Sequence, residues 1–442
     1  MTTPAGGSGA SITAVRGILV ELREGEPLPP LPRSARLDID LDALAGNIRV
    51  IGEILPPGIR MEPVVKADAY GHGAVMVART LVGAGIRSLS VATYDEALEL
   101  RQAGVEVPIL IVFPIPPELA PQARHHRLSV SAGDRTLLQR ILAALDAADG
   151  GPRALAGVDY LTKVGPPLAI QIEVETGLGR GGVAPECVTA TAAMIERSPH
   201  ARLAGLWSHL QAAGDPVISG EQGRRFGVAA GLLDAVGAAV PSRHLAASGG
   251  IFTSGVGGCD VVRVGLAQYG LVPDGLEVPA DFRAAAARLR PVMSLRARPV
   301  RVAWLEAGTG ISYGPSFRTS GRSLIATLPV GYADGYSRAF SNRARVLVRG
   351  TSVRQVGTVA MDAIMVDVTD VPGPEVTVDD EFTLLGEQGS ERIEAAEVAH
   401  WGDTISYEVL AGWSGRLPRV YYSAARAVGF RTLACEAGES RG

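Results

Sequence analysis

The chain has 442 residues, of which 47% are hydrophobic and 20% charged, and its formal net charge is −4. That length accommodates two domains, or one barrel with a second domain appended. The near-neutral balance and the absence of a basic stripe argue against nucleic acid or an anionic membrane surface as a partner.

Residues 1–35 are rich in Gly, Ser, Ala and Pro. They are expected to form a flexible N-terminal extension, within which SITAVRGILVELR has the composition of a short ordered piece. The first residues lack a basic start followed by a long apolar stretch, so no secretory leader is expected. No uncharged apolar run approaches the roughly 20 residues of a membrane-spanning helix. Cys187, Cys259 and Cys435 are far apart and odd in number. They offer neither a metal-binding spacing nor a disulfide framework, which favours a reducing cytoplasm and predicts no metal.

From residue 36 to 290 strand-like and helix-like segments alternate. Asp42 to Leu55 has helical spacing, with Ala43, Ile48, Ile51 and Leu55 near one face. Eight short apolar runs then follow: EPVVK (62–66), SLSVA (88–92), VPILIV (107–112), RLSV (127–130), LAIQIEVE (168–175), RLAGLWSH (202–209), RHLAAS (243–248) and DVVRVG (260–265). Helical patterns separate most of them, and the weakest is the glycine-rich GGIFTSGVGGC. This alternation predicts an α/β fold with an N-terminal (β/α)8 TIM-like barrel. After residue 291 the pattern changes to short strands such as PVRVAWL, SLIATLP and RVLVR, joined by Gly, Pro and Asp turns. A C-terminal, mostly-β domain over 291–430 and a tail over 431–442 are expected.

Reactive groups of a parallel barrel lie at the carboxyl ends of its strands. The first run ends in Lys66, an ammonium that is costly to bury unless it is paired, neutralised or consumed. Condensation with an aldehyde cofactor would consume it, whereas snorkelling or pairing with Asp68 would satisfy it in place. Ser248-Gly249-Gly250 and Val264-Gly265-Leu266 follow the last two strands, where barrels hold phosphate and where ordinary tight turns also occur. A lysine and a phosphate site together suggest pyridoxal 5′-phosphate. Arg263 points into the barrel, either toward a ring nitrogen of that cofactor or into a pair with Asp260 or Glu173. His209 is a candidate base or network histidine, or a satisfied core residue. His125, His126, His200, His244 and His400 carry no pattern, and His72 belongs to the YGHG turn. In the second half, glycine-flanked tyrosines recur in GISYG, GYADGY and DTISY, a number that favours a functional surface over simple packing.

KADAYGHG, ETGLGR, ISYG, PVGYADGY, VAMD and GDTISYEV occur in this order along the chain. Together they resemble the alanine racemases, fold-type III pyridoxal phosphate enzymes, over roughly residues 36–430. The resemblance implies a barrel, a β domain and a head-to-tail homodimer whose two active sites draw on both chains. It implies that Lys66 carries the cofactor and serves as one catalytic base, with Tyr313 from the partner chain as the other. Arg263 would pair with the pyridine nitrogen, and His209 would link Arg263 to Tyr313. Tyr70, Ser248, Gly265, Leu266 and Tyr407 would surround the phosphate. Arg180 and the backbone at Met361 would hold the substrate carboxylate, and Tyr332 would line the substrate's path. The implied activity is interconversion of L- and D-alanine for cell-wall precursor supply. A serine or broad-specificity racemase is the alternative. A barrel decarboxylase is disfavoured by Arg263, and a non-catalytic carrier by the tyrosine-bearing second half.

Two positions depart from the family pattern. Where many members carry a carbamylated lysine, this chain has Glu173, an anion expected to orient Arg180 without carbon dioxide. SHLQAAGDP follows the sixth strand only loosely in the family manner, and Ala247 precedes Ser248 where asparagine is common.

Overall fold

A computed structural model describes residues 12–14, 17–149, 165–253 and 257–434. Cys435, most of the expected tail and the first eleven residues lie outside the described residues. Two compact units emerge: one spans residues 43–70 and 74–290, the other residues up to 42, 71–73 and from 291 onward.

The first unit holds eight parallel strands. They are β1 (Arg60–Pro63), β2 (Leu89–Val91), β3 (Ile109–Ile111), β4 (Leu128–Ala132), β5 (Leu168–Glu173), β6 (Ala201–Trp207), β7 (Arg243–His244) and β8 (Val261–Val264). Ladders run from β2 through β7, and a separate parallel pair joins β8 to β1. Single parallel bridges close the circle, Val64 to Ser90 between β1 and β2, and Ala247 to Arg263 between β7 and β8. The result is the expected eight-stranded barrel. Helices cover strands whose two faces are both buried, so a segment such as LAIQIE reads as continuous burial rather than alternation. The longest crossover helix, Pro216–Ala235, starts at Asp215, whose carboxylate accepts the N–H groups of Val217 and Ile218. After β7 the crossover shrinks to a one-turn helix, Ser248–Ile251, and residues 254–256 lie outside the described residues.

The second unit is built on a long, mostly antiparallel sheet. Within residues 1–35, expected as a flexible extension, Gly17–Glu21 lies in the SITAVRGILVELR piece whose composition suggested order; it is a strand paired with Arg426–Thr432, and Leu19 is buried. Its Ile18-Leu19-Val20 core gives it apolar surface to bury and backbone groups to pair, so order wins. Ala35–Asp40, at the start of the range expected for the barrel, instead pairs with Met293–Ala297 and Arg419–Ser423. ARLDID alternates buried and half-buried positions, the signature of a sheet covered on one face, which suits this sheet and not a barrel strand. No helix among the described residues is long and apolar enough to cross a membrane.

Candidate active site

Lys66 follows β1 at its carboxyl end and is half-buried. The four residues after it, Ala67, Asp68, Ala69 and Tyr70, all have positive φ, between 52° and 56°. They form a left-handed turn without a single glycine, a conformation that costs L-residues about 1–2 kcal/mol each. Local bonds hold it: Ala67 N–H donates to Glu96 Oε1 (2.7 Å), and Ala74 N–H donates to Asp68 Oδ1 (2.9 Å). The turn points the chain away from the strand directly behind the lysine and puts Tyr70 into the barrel interior, its ring 5.1 Å from that of Tyr269. Burial, aided by Arg180 and Arg263, lowers the Lys66 ammonium below its ordinary value against the opposing pull of Glu96. A larger share of free amine results, which is what a nucleophilic or basic lysine requires.

Arg263 on β8 is 3% exposed and lies within no carboxylate's ion-pair reach among the described residues. Neutral acceptors surround it instead. Nη1 donates to His244 Nδ1 (2.5 Å), and Nη2 donates to Ser208 O (2.5 Å) and His209 Nδ1 (3.1 Å). Trp207 contributes its ring face 5.0 Å from the guanidinium carbon. Pairing with Asp260 or Glu173 is therefore replaced by a cage of carbonyls, imidazoles and an indole. Burial lowers the guanidinium to about 10, partly offset by Glu62.

The cage dictates proton positions. Both imidazoles accept from Arg263 at Nδ1, so each carries its proton on Nε2. His244 then donates from Nε2 to Gln171 Oε1 (2.6 Å). Burial first, then Arg263, Arg180 and Lys66, depresses His209 to about 3, so it is neutral across the physiological range. His244 is pushed well below its usual value by burial first, then by Arg263 and Arg60. His244, Gln171 and Trp207 join Arg263 here without standing out in the sequence. Their signal was weak because each sits on a different strand and meets Arg263 only through barrel register.

Beyond β7 and β8 a small cradle forms. Ser248 Oγ accepts the N–H groups of Gly265 (3.0 Å) and Ala267 (3.2 Å). A Cβ added at Gly265 would sit 2.9 Å from Tyr70 Oη and 3.8 Å from Ser248 Oγ. Glycine at 265 thus keeps open a space bounded by two hydroxyls and the backbone before buried Leu266.

Glu173 closes β5. Its Oε1 lies 3.5 Å from Arg180 Nη2, and Arg180 also stacks 5.5 Å from the Phe113 ring centroid. Glycines at 133 and 181 make room for the carboxylate, since a Cβ there would meet Glu173 Oε2 at 2.8 and 3.4 Å. Burial raises the Glu173 carboxyl, and Arg180 opposes the rise.

Lys66, Tyr70, Glu173, Arg180, His209, Ser248, Arg263, Gly265 and Leu266 thus belong to the barrel unit. Tyr313, Tyr332, Met361 and Tyr407 belong to the other. In that unit residues 357–361 brace two loops. Ser312 Oγ donates to Thr358 O (2.6 Å) beside Tyr313, and the N–H groups of Tyr332 and Ala333 donate to the carbonyls of Ala360 and Met361. Tyr313 (72%), Met361 (51%) and Tyr332 (42%) are exposed, and Tyr407 sits half-buried on the helix Ser406–Ala411. Among the described residues no group of His, Cys, Asp and Glu could hold a metal ion.

The donor set fits a phosphorylated pyridine aldehyde. Arg263 Nε–H has no acceptor among the described residues and matches an unprotonated ring nitrogen, while the cradle at Gly265 matches a phosphate.

Known proteins similar to this chain are numerous. The family model described as "Alanine racemase, N-terminal domain" matches residues 39–273, and "Alanine racemase, C-terminal domain" matches residues 292–421. An alanine racemase of a Nostoc species is 38% identical over 388 residues, covering 87% of this chain and 95% of its own. One from Halothermothrix orenii is 37% identical over 394 residues, covering 88% and 97%. Among solved structures, alanine racemase from Bacillus anthracis with bound L-Ala-P is 30% identical with a TM-score of 0.80, covering 91% and 99%. That of Streptomyces coelicolor A3(2) is 34% identical with a TM-score of 0.76, covering 88% and 98%.

Proposed function

Since the chain belongs to the alanine racemase family and is an isomerase, we propose that it interconverts L- and D-alanine with pyridoxal 5′-phosphate as cofactor. One observation carries the reading: Arg263 is a buried cation held only by neutral acceptors, with Nε–H left to donate. A decarboxylase of this barrel type would be expected to present a carboxylate to the ring nitrogen.

When bound, the cofactor supplies an electron sink that acidifies the α-proton of an amino acid. Lys66 is its anchor and then, with its amine released, takes or returns that proton at Nζ on one face. Tyr313 of the partner subunit takes or returns it at Oη on the opposite face, since inversion with one base per face is the simplest solution. His209, with its proton on Nε2, donates to the Tyr313 oxygen and favours phenolate. Arg263, remaining protonated, leaves the ring nitrogen largely without a proton and tempers the sink, which limits transamination. Arg180 grips the substrate carboxylate with the backbone at Met361, and Glu173 holds Arg180 in place. Tyr70, Ser248, Gly265, Leu266 and Tyr407 bind the phosphate, and Tyr332 lines the substrate's path.

The exposed Tyr313, Tyr332, Met361 and Ile405 are large apolar side chains in one unit. Their exposure supports a head-to-tail homodimer in which they complete the other chain's site. The setting is cytoplasmic, and the role is D-alanine supply for peptidoglycan. Incubation with L-alanine in heavy water tests the activity. Deuterated D-alanine without release of carbon dioxide is the expected result, and unlabelled or absent D-alanine would remove the reading.

A further inference from the structure

The barrel unit has a second concavity at the amino end of its strands, opposite the end at which Lys66 emerges. A cavity of about 360 Å³ lies there, its wall including Arg60, Arg87 and Arg202 with Ser129, Glu62 and Gln171. Arg60 opens β1 and Arg202 lies at the start of β6, so the guanidiniums approach from different strands. Among the described residues Arg87 and Arg202 have no hydrogen-bond or ion-pair partner, and Arg60 donates only to Pro241 O (3.3 Å). The one carboxyl in the wall, Glu62, is 6% exposed, accepts from Ser90 Oγ, and is raised by burial toward its neutral form. Three cations against at most one anion leave an excess of at least two positive charges around one concavity.

The three arginines are exposed and so solvated, but an anion seated among them would relieve the remaining repulsion, and planar guanidinium forks match phosphate oxygens in pairs. The Ser129 hydroxyl, also without a partner among the described residues, adds a neutral donor. The volume exceeds that of a bare phosphate and falls in the range of small-molecule sites, roughly 300–1,000 Å³. Gln171 belongs to two neighbourhoods at once: it lines this cavity and accepts from His244, which in turn accepts from Arg263.

We propose that the amino end of the barrel is an effector site for a small phosphate-bearing metabolite, which acts on the catalytic end through Gln171, His244 and Arg263. The effector half rests on the racemase reading, while the binding half does not. Inorganic pyrophosphate is the probe, titrated calorimetrically into the purified holoenzyme at fixed ionic strength with and without saturating D-alanine. Saturable binding that D-alanine does not displace is expected, weakened at least tenfold by Arg87→Ser combined with Arg202→Ser. In the wild type, bound pyrophosphate should change kcat for alanine at least twofold, and in the double variant it should not, with basal kcat equal in both. A response matched by sodium chloride at the same ionic strength would overturn the site, as would binding that survives the double substitution or yields to D-alanine. Specific binding with unchanged kcat in an active enzyme would overturn the effector role. An enzyme that binds pyrophosphate but does not racemise alanine would overturn the racemase reading and leave the site standing.

Discussion

The surroundings of Arg263 and those of Tyr313 are opposites. Arg263 is locked before any ligand arrives, with two imidazoles, a serine carbonyl and an indole face fixing its orientation. Tyr313 stands on a loop with most of its surface in water. Of these two proposed site groups, one is held by its own fold before any ligand binds, and the other stands open on its loop. On the proposed mechanism, activity and stability then separate: the barrel network would carry both, and the tyrosine loop activity alone.

The sharpest way to break that contrast is subunit mixing. Lys66→Ala and Tyr313→Phe should each lower alanine racemisation by about 10²–10⁴-fold, the range of a lost acid–base group. Mixed and reassembled, the two inactive variants should regain up to about a quarter of wild-type activity, because half the dimers then hold one intact site of two. No recovery would place both groups in the same chain's site. His244→Leu should act differently. It strands a buried Arg263 donor and should cost about 1–3 kcal/mol of stability, read from urea midpoints, whereas Tyr313→Phe should stay within about 0.5 kcal/mol of wild type. Equal midpoints for the two would erase the distinction drawn here.

Smaller effects sharpen it further. Glu173→Gln should raise KM for alanine by about three- to tenfold with kcat nearly kept, since the exposed Arg180 arm loses only a partly solvated partner. An unchanged KM would show that Arg180 is held by other groups. For His209 the sign follows from its folded value of about 3 against 6.5 unfolded. Between those values the unfolded chain binds the proton and the native one does not, so this contribution to stability is complete above 6.5 and is lost as pH falls toward 3. Urea midpoints should therefore fall less between pH 7.5 and pH 5 in His209→Gln than in the wild type, and parallel lines would refute the depressed value.

Much of this was legible in the chain itself. Lys66 and Arg263 stand out because alternation along a buried strand puts a charge where it must be paired, consumed or used by a site. Eight apolar runs with crossovers were enough for the barrel, because parallel strands covered on both faces are nearly continuous in hydrophobicity. Hidden from that reading were features that depend on register or on backbone shape. His244 looks patternless until β7 is laid beside β8, and Gln171 sits in a run that reads simply as core. Ala35–Asp40 has the same length as a barrel strand, and only its half-exposed alternate positions reveal the antiparallel sheet it joins.

The turn behind Lys66 carries a consequence for protein engineering. Alanine to glycine in an ordinary helix costs about 1 kcal/mol, because glycine has more freedom to lose. At Ala67, exposed and at φ 52°, the sign reverses, since glycine accepts the left-handed well without penalty and no buried methyl is given up. Ala67→Gly should raise the melting temperature by a few degrees at most, and a fall would mean the freedom lost on folding outweighs the handedness. D-alanine placed there by chemical ligation would keep the methyl and still relieve the turn. The most promising stabilising change in this chain would then be an inversion of configuration at one backbone carbon, next to the lysine proposed to invert others.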